Sequence, residues 1–85
     1  MSKNKLPHVK PSYIDGGDVW HDIDKFPWIG HTIIVERQLK GSNELSYRTE
    51  DVCVERTDRF DPTMSFVPKR WAYAADLAQC KKIDC

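Results

Sequence analysis

The stretch that decides the fold is His31-Thr32-Ile33-Ile34-Val35-Glu36-Arg37-Gln38-Leu39, then Lys40-Gly41-Ser42-Asn43, then Glu44 to Arg56. Three contiguous β-branched residues, Ile33, Ile34 and Val35, followed by alternation into Glu36, Arg37 and Gln38, predict a strand. Lys40-Gly41-Ser42-Asn43 reads as a hairpin turn, and Glu44 to Arg56 as the returning strand. Within that second strand Leu45, Tyr47 and Thr49 share one parity, whereas Val52 and Val54 share the other. A bulge or bend near Glu50-Asp51 would reconcile the two halves.

Working outward, Thr57 to Thr63 contains Asp58, Asp61 and Pro62 and reads as a loop. Phe66 to Tyr73 predicts a third strand, with Pro68 arguing for an edge position. Ala74 to Lys82 is rich in helix formers and predicts a short C-terminal helix. In the other direction, Trp20, Ile23 and Phe26 fall three apart, which predicts one helical or 3₁₀ turn ended by Pro27. Met1 to Asp18 holds Pro7, Pro11, Gly16 and Gly17, shows no periodicity and reads as a flexible arm, from which Tyr13 and Ile14 are expected to tuck onto the domain. The expected organisation is an arm over 1–18, one globular domain over 19–79 and a tail over 80–85. The fold class is α+β, mostly β: an antiparallel three- to four-stranded meander or half-barrel with short helical pieces at Trp20–Phe26 and near the C-terminus. The expected core is Trp20, Ile23, Phe26, Ile33, Val35, Leu45, Tyr47, Val52, Val54, Phe66 and Trp71.

Length and composition bound the function. A chain of 85 residues makes one domain, burying only roughly 60–65% of its unfolded surface, so the core is thin and a walled catalytic cavity is hard to build. Forty per cent hydrophobic residues make it too apolar for a disordered chain. Thirteen basic residues balance thirteen acidic ones, which leaves no strong long-range field for collecting phosphate or anionic lipid. There is no signal-peptide pattern at Met1 to Lys10 and no run of the roughly 20 apolar residues a membrane span needs. Three cysteines, Cys53, Cys80 and Cys85, are an odd number that fits poorly with a disulfide-built secreted scaffold. A cytoplasmic protein without membrane contact is expected, with Cys53 buried as a small hydrophobe.

The order of these features resembles a short, β-rich family of unknown function encoded by phages and prophages. The resemblance is carried by Trp20, Ile23, the Phe26-Pro27-x-x-Gly30 turn, the strand Ile33-Ile34-Val35 and Trp71, and it spans roughly residues 19 to 77. The family ends in a Pro-rich strand, whereas Ala72 to Gln79 here is Ala-rich. The resemblance implies a small viral or mobile-element protein of unassigned role, and leans toward one that occludes a host target, as such short proteins often do.

Motifs that carry chemistry are few. His21-Asp22-Ile23-Asp24 with His31 offers imidazole and carboxylate donors, but no HxH or HxxxH pair is present, and the aspartates read better as helix caps. Cys53, Cys80 and Cys85 lack a CxxC knuckle, so no metal is expected. Asp15-Gly16-Gly17-Asp18 has glycine between carboxylates, but Phe26 stands where a calcium loop needs its bidentate Glu, and the segment reads as a turn. No nucleophile elbow or phosphate cradle accompanies the cysteines and histidines, so no enzyme activity and no cofactor is expected.

What remains is an aromatic and basic surface. Trp28, in the turn between Pro27 and Gly30, is the candidate exposed anchor. Tyr47, Arg48, Arg56, Arg59, Lys69 and Arg70 complete the expected binding residues. Trp, Tyr and Arg are the residue types that dominate protein interfaces. The expected function is a small protein-binding module that binds and inhibits a host protein. The alternatives are a single-stranded nucleic-acid binder that stacks bases on its aromatics, and a minor structural protein. Another protein is the expected partner, with nucleic acid and self-association kept open.

Overall fold

The structure, a computed structural model, describes residues 7–11 and 19–82. Its elements in chain order are β1 (His8–Val9), β2 (Trp20–Asp22), β3 (Phe26–Pro27), β4 (Thr32–Leu39), β5 (Leu45–Asp51), β6 (Phe66–Tyr73) and α1 (Ala74–Lys82). Four strands form an open antiparallel sheet in the order β2-β6-β4-β5, and β1 pairs in parallel with β3. The mostly β fold, the hairpin at Lys40–Asn43, the strand Phe66–Tyr73 and the C-terminal helix agree with the sequence. Tyr13, Ile14 and Cys85 lie outside the described residues. No described helix is long and apolar enough to cross a membrane.

The hairpin forms where Gly41 takes φ +78°, a conformation glycine adopts without a Cβ penalty. β4 pairs with β5 in unbroken register from Thr32↔Asp51 to Gln38↔Leu45. The chain does not then meander onward. β6 returns to the other side of β4 and also receives β2, so it is a central strand. Pro68 is compatible with that position because β2 reaches only Arg70, Trp71 and Ala72. The N-terminal half of β6 therefore has a single neighbour. The register between β4 and β6 also shifts there, from Glu36↔Arg70 to Arg37↔Pro68, so Lys69 is the extra residue of a bulge.

Three local expectations are corrected. The bulge lies at Lys69, not near Glu50-Asp51. β5 is regular, and the parity change reflects its two faces: Leu45, Tyr47 and Thr49 point one way, while Arg48, Glu50 and, just beyond the strand, Val52 point to the core side. Second, Trp20–Phe26 is not helical. Trp20 and Asp22 pair with Ala72 and Arg70, and a tight turn closes through the Lys25 N–H on the Asp22 carbonyl at 3.0 Å. A single helical turn bears the full nucleation penalty, so strand pairing wins, and a turn produces the same spacing of three. Third, within the expected arm, His8–Val9 are docked. The Phe26 N–H donates to the Pro7 carbonyl at 2.9 Å, and the Tyr73 hydroxyl donates to the Val9 carbonyl.

The core sits on one face of the sheet. Ile33, Val35, Trp71 and Tyr73 supply it from β4 and β6, and Val52 and Phe60 close it from the long connection between β5 and β6. Phe60 lies between Phe26 and Trp71 in a three-ring stack, with centroids 6.1 and 5.9 Å apart. The Trp71 indole N–H is satisfied by the carbonyls of Asp22 and Lys25. Four expected core residues, Ile23, Leu45, Tyr47 and Val54, are exposed instead, and so is Cys53. Leu45 and Tyr47 are displaced because the core side of the edge strand is filled by Arg48 and Glu50, under which Arg59 reaches to pair with Glu50.

Candidate functional site

The opposite face of the sheet is open along β5 and at Asp22 and Arg70, and buried at Glu36 and Ala72 in its middle. Strand alternation and the register place Trp20 and Asp22 (β2), Arg70 and Ala72 (β6), Ile34, Glu36 and Gln38 (β4), and Leu45, Tyr47 and Thr49 (β5) on it. One row across the four strands reads Asp22, Arg70, Glu36, Tyr47. Glu36 is its fixed point: although charged, it is only 6% exposed. Arg70 donates to it twice, Nε to Oε1 at 2.9 Å and Nη2 to Oε2 at 3.3 Å, and the Tyr47 hydroxyl donates to Oε2 at 2.8 Å. A buried carboxylate needs such partners to remain charged. The Arg70 hydrogen bonds hold Glu36 below the usual carboxylate range, against a smaller upward push from burial. The same carboxylate raises the Tyr47 hydroxyl above its ordinary value.

The aromatic rings complete the cluster. The Arg70 guanidinium lies over the Trp20 ring at 4.3 Å, and the Trp20 and Tyr47 rings lean together above the sheet with centroids 6.3 Å apart. Tyr47 remains 56% exposed and its neighbour Leu45 48%. Toward the hairpin the face runs into a shallow cleft of about 250 Å³, lined by Gln38, Lys40, Ser42, Val67 and Lys69.

Of the binding residues expected from the sequence, Tyr47, Lys69 and Arg70 meet on this face. The others are dispersed. Arg48 and Arg59 are on the core side, where Arg59 bonds Glu50 and the Val54 carbonyl, and where Arg37, Arg48 and Arg59 border a narrow cleft of about 60 Å³. Arg56 is engaged with Asp58 in the loop at 3.0 Å, which lowers the Asp58 carboxyl. Trp28 is exposed, as its turn position suggested, but stands at another corner. There the Lys10 ammonium lies 5.0 Å from its ring, and its backbone N–H donates to the Tyr73 hydroxyl at 2.8 Å.

No protein-family model, curated protein or solved structure matches the chain. Among the described residues no group of three or more His, Cys, Asp or Glu side chains is placed to hold a metal ion. The open face carries two aromatic rings, one guanidinium and a buried carboxylate that ties them together, an arrangement suited to contact and recognition.

Three members of this face carry no sequence signal that marks them as surface contacts. Trp20 and Leu45 have the apolar character of core positions, and Glu36 that of an ordinary polar position on a strand. The available signal for Glu36 was its place directly after Ile33-Ile34-Val35. A carboxylate there is carried into the middle of the sheet, where it requires a cation from a neighbouring strand.

Proposed function

We propose that the chain is a small protein-binding module whose contact surface is the open sheet face centred on Trp20, Tyr47 and Arg70. One observation carries the reading: an exposed Tyr and a half-buried Trp are held together over a buried carboxylate by an arginine. Trp, Tyr and Arg are the residue types in which interface energy concentrates. Here their rotamers are already fixed by the Glu36 hydrogen bonds and the Arg70–Trp20 stack, so little ordering entropy remains to be lost on binding. Leu45 extends the apolar area beside Tyr47, and Lys69 with Lys40 supplies a polar rim. The resemblance to a phage-type family points to a host protein as the partner, inhibited by being covered.

A single-stranded nucleic acid is the second reading, favoured by the adjacency of Trp20 and Tyr47 to Arg70, Lys69 and Lys40. Two features weigh against it. Arg70 already occupies one face of the Trp20 ring, and Glu36 places a negative charge where a phosphate path would run. Affinity capture from a bacterial lysate, with and without nuclease, separates the two. A stoichiometric protein retained through nuclease treatment and lost with Tyr47→Ala supports the module. Nucleic acid recovered in its place, with affinity falling steeply as salt rises, overturns it.

A further inference from the structure

The two edges of the main sheet differ. β2 is three residues long and offers little to a passing strand, whereas β5 presents seven residues in regular register. Among the described residues β5 pairs only with β4, and no proline or bulge interrupts it. Such an edge is a template for strand addition.

The ladder fixes which groups of β5 point outward. The Leu39 N–H donates to the Glu44 carbonyl at 3.0 Å, and the Val52 N–H donates to the His31 carbonyl at 2.9 Å. Hydrogen-bonded pairs alternate in an antiparallel ladder. The even-numbered residues Ser46, Arg48 and Glu50 therefore bond inward to β4. The N–H and C=O groups of Leu45, Tyr47, Thr49 and Asp51 face outward.

Charge then selects a partner for that edge. If a second copy of β5 adds antiparallel about a two-fold axis, outward-facing residues must oppose each other. An axis through Arg48 sets Arg48 against Arg48. An axis through Tyr47 sets Glu50 against Glu44, and one through Glu50 sets Glu50 against itself. An axis through Ser46 also sets Arg48 against an acidic residue, Glu44, but within β5 it engages the outward groups of only Leu45 and Tyr47, whereas an axis at Thr49 engages those of Tyr47, Thr49 and Asp51. With the axis at Thr49, Tyr47 opposes Asp51, Thr49 opposes Thr49, and Arg48 opposes Glu50 twice. Arg48 is exposed and, among the described residues, has no ion-pair or hydrogen-bond partner of its own. Arg59 engages Glu50 through Oε2, leaving Oε1 for a second cation. Opposite charges directly across strands stabilise a pair, and like charges oppose it.

We propose that β5 is a self-pairing edge: two copies of the chain join antiparallel about Thr49 into one continuous eight-stranded sheet, with reciprocal Arg48–Glu50 ion pairs fixing the register. The pairing is argued from the strand edge rather than from what binds the open face, although Tyr47 belongs to both and would stand beside Asp51 of the second copy. It also relieves a thin core, since small domains commonly gain stability by association.

Sedimentation velocity of the full chain over micromolar to sub-millimolar concentration tests the inference, with Thr49→Pro and Arg48→Glu as variants. Thr49→Pro removes an outward N–H that no bond among the described residues uses, and Arg48→Glu sets like charges opposite Glu50 at both positions. The expected result is a monomer–dimer equilibrium for the parent chain, weakened by roughly tenfold or more in Arg48→Glu and abolished in Thr49→Pro, with circular dichroism unchanged. A parent chain that stays monomeric throughout, or a dimer that neither folded variant weakens, overturns it.

Discussion

Replacing Phe60 with alanine tests how the long connection between β5 and β6 closes the core. Phe60 is 5% exposed and stacks nearly parallel to Phe26 and Trp71, at interplanar angles of 10° and 12°. Removing its ring forfeits the burial of a large apolar side chain and leaves a cavity that two rigid rings cannot refill, which together cost about 3–5 kcal/mol. A domain of this length has a total stability of roughly 4–13 kcal/mol, so the loss is a large share of it. At about 4–8 °C per kcal/mol for a small domain, the midpoint should fall by roughly 12–40 °C. Phe60→Leu keeps most of the volume and should lose less than half as much. Urea unfolding followed by tryptophan fluorescence measures both variants, and a constant m-value would show that the unfolded state is unchanged. A loss of about 1 kcal/mol or less in Phe60→Ala would refute the packing described, because truncating a buried phenylalanine in a close-packed core typically costs about 3–5 kcal/mol.

Two further perturbations address other parts of the account. Tyr73→Phe removes the hydroxyl that donates to the Val9 carbonyl and accepts from the Trp28 N–H. It should destabilise by about 1–3 kcal/mol and raise hydrogen exchange at residues 8 and 9 far more than in β4. For Glu36, the folded state holds the carboxyl below its ordinary value of 4.5. Its contribution is therefore fully present above that value and lost as pH falls through the lower folded value. The difference in stability between the parent and Glu36→Gln should accordingly be large near neutrality and shrink below about pH 4.5. A difference that does not vary with pH would show that the carboxylate is not the fixed point of the open face.

The legible parts of the fold were those set by local chemistry. Ile33-Ile34-Val35, the Gly41 turn, Phe66–Tyr73 and the alanine-rich Ala74–Lys82 each carry their own signal, and each forms the expected element. What the sequence concealed was which side of an edge strand faces the core. Leu45 and Tyr47 have the apolar character of core residues, yet the core side of β5 is taken by Arg48 and Glu50 because Arg59 reaches beneath them. Phe60 could not be selected because it belongs to an irregular loop with no periodicity. The sheet order was hidden for a related reason. Pro68 argues for an edge on local grounds, and only the short reach of β2 makes it compatible with a central strand. The open face was half legible: Tyr47, Lys69 and Arg70 stood out as interface residue types, but their grouping with Trp20 depends on β2 pairing with β6, a contact between residues some fifty positions apart.

The most direct test of the central claim is the affinity of the captured partner protein for three chains: the parent, Tyr47→Ala and Trp28→Ala. Tyr47 is exposed on the open face, and Trp28 stands at a separate corner beside Lys10. The account predicts that Tyr47→Ala weakens binding by roughly thirtyfold or more, as loss of an interface anchor does, while Trp28→Ala changes it by less than about threefold. Equal affinities for all three chains, or a loss confined to Trp28→Ala, would contradict the assignment of the open sheet face as the binding surface.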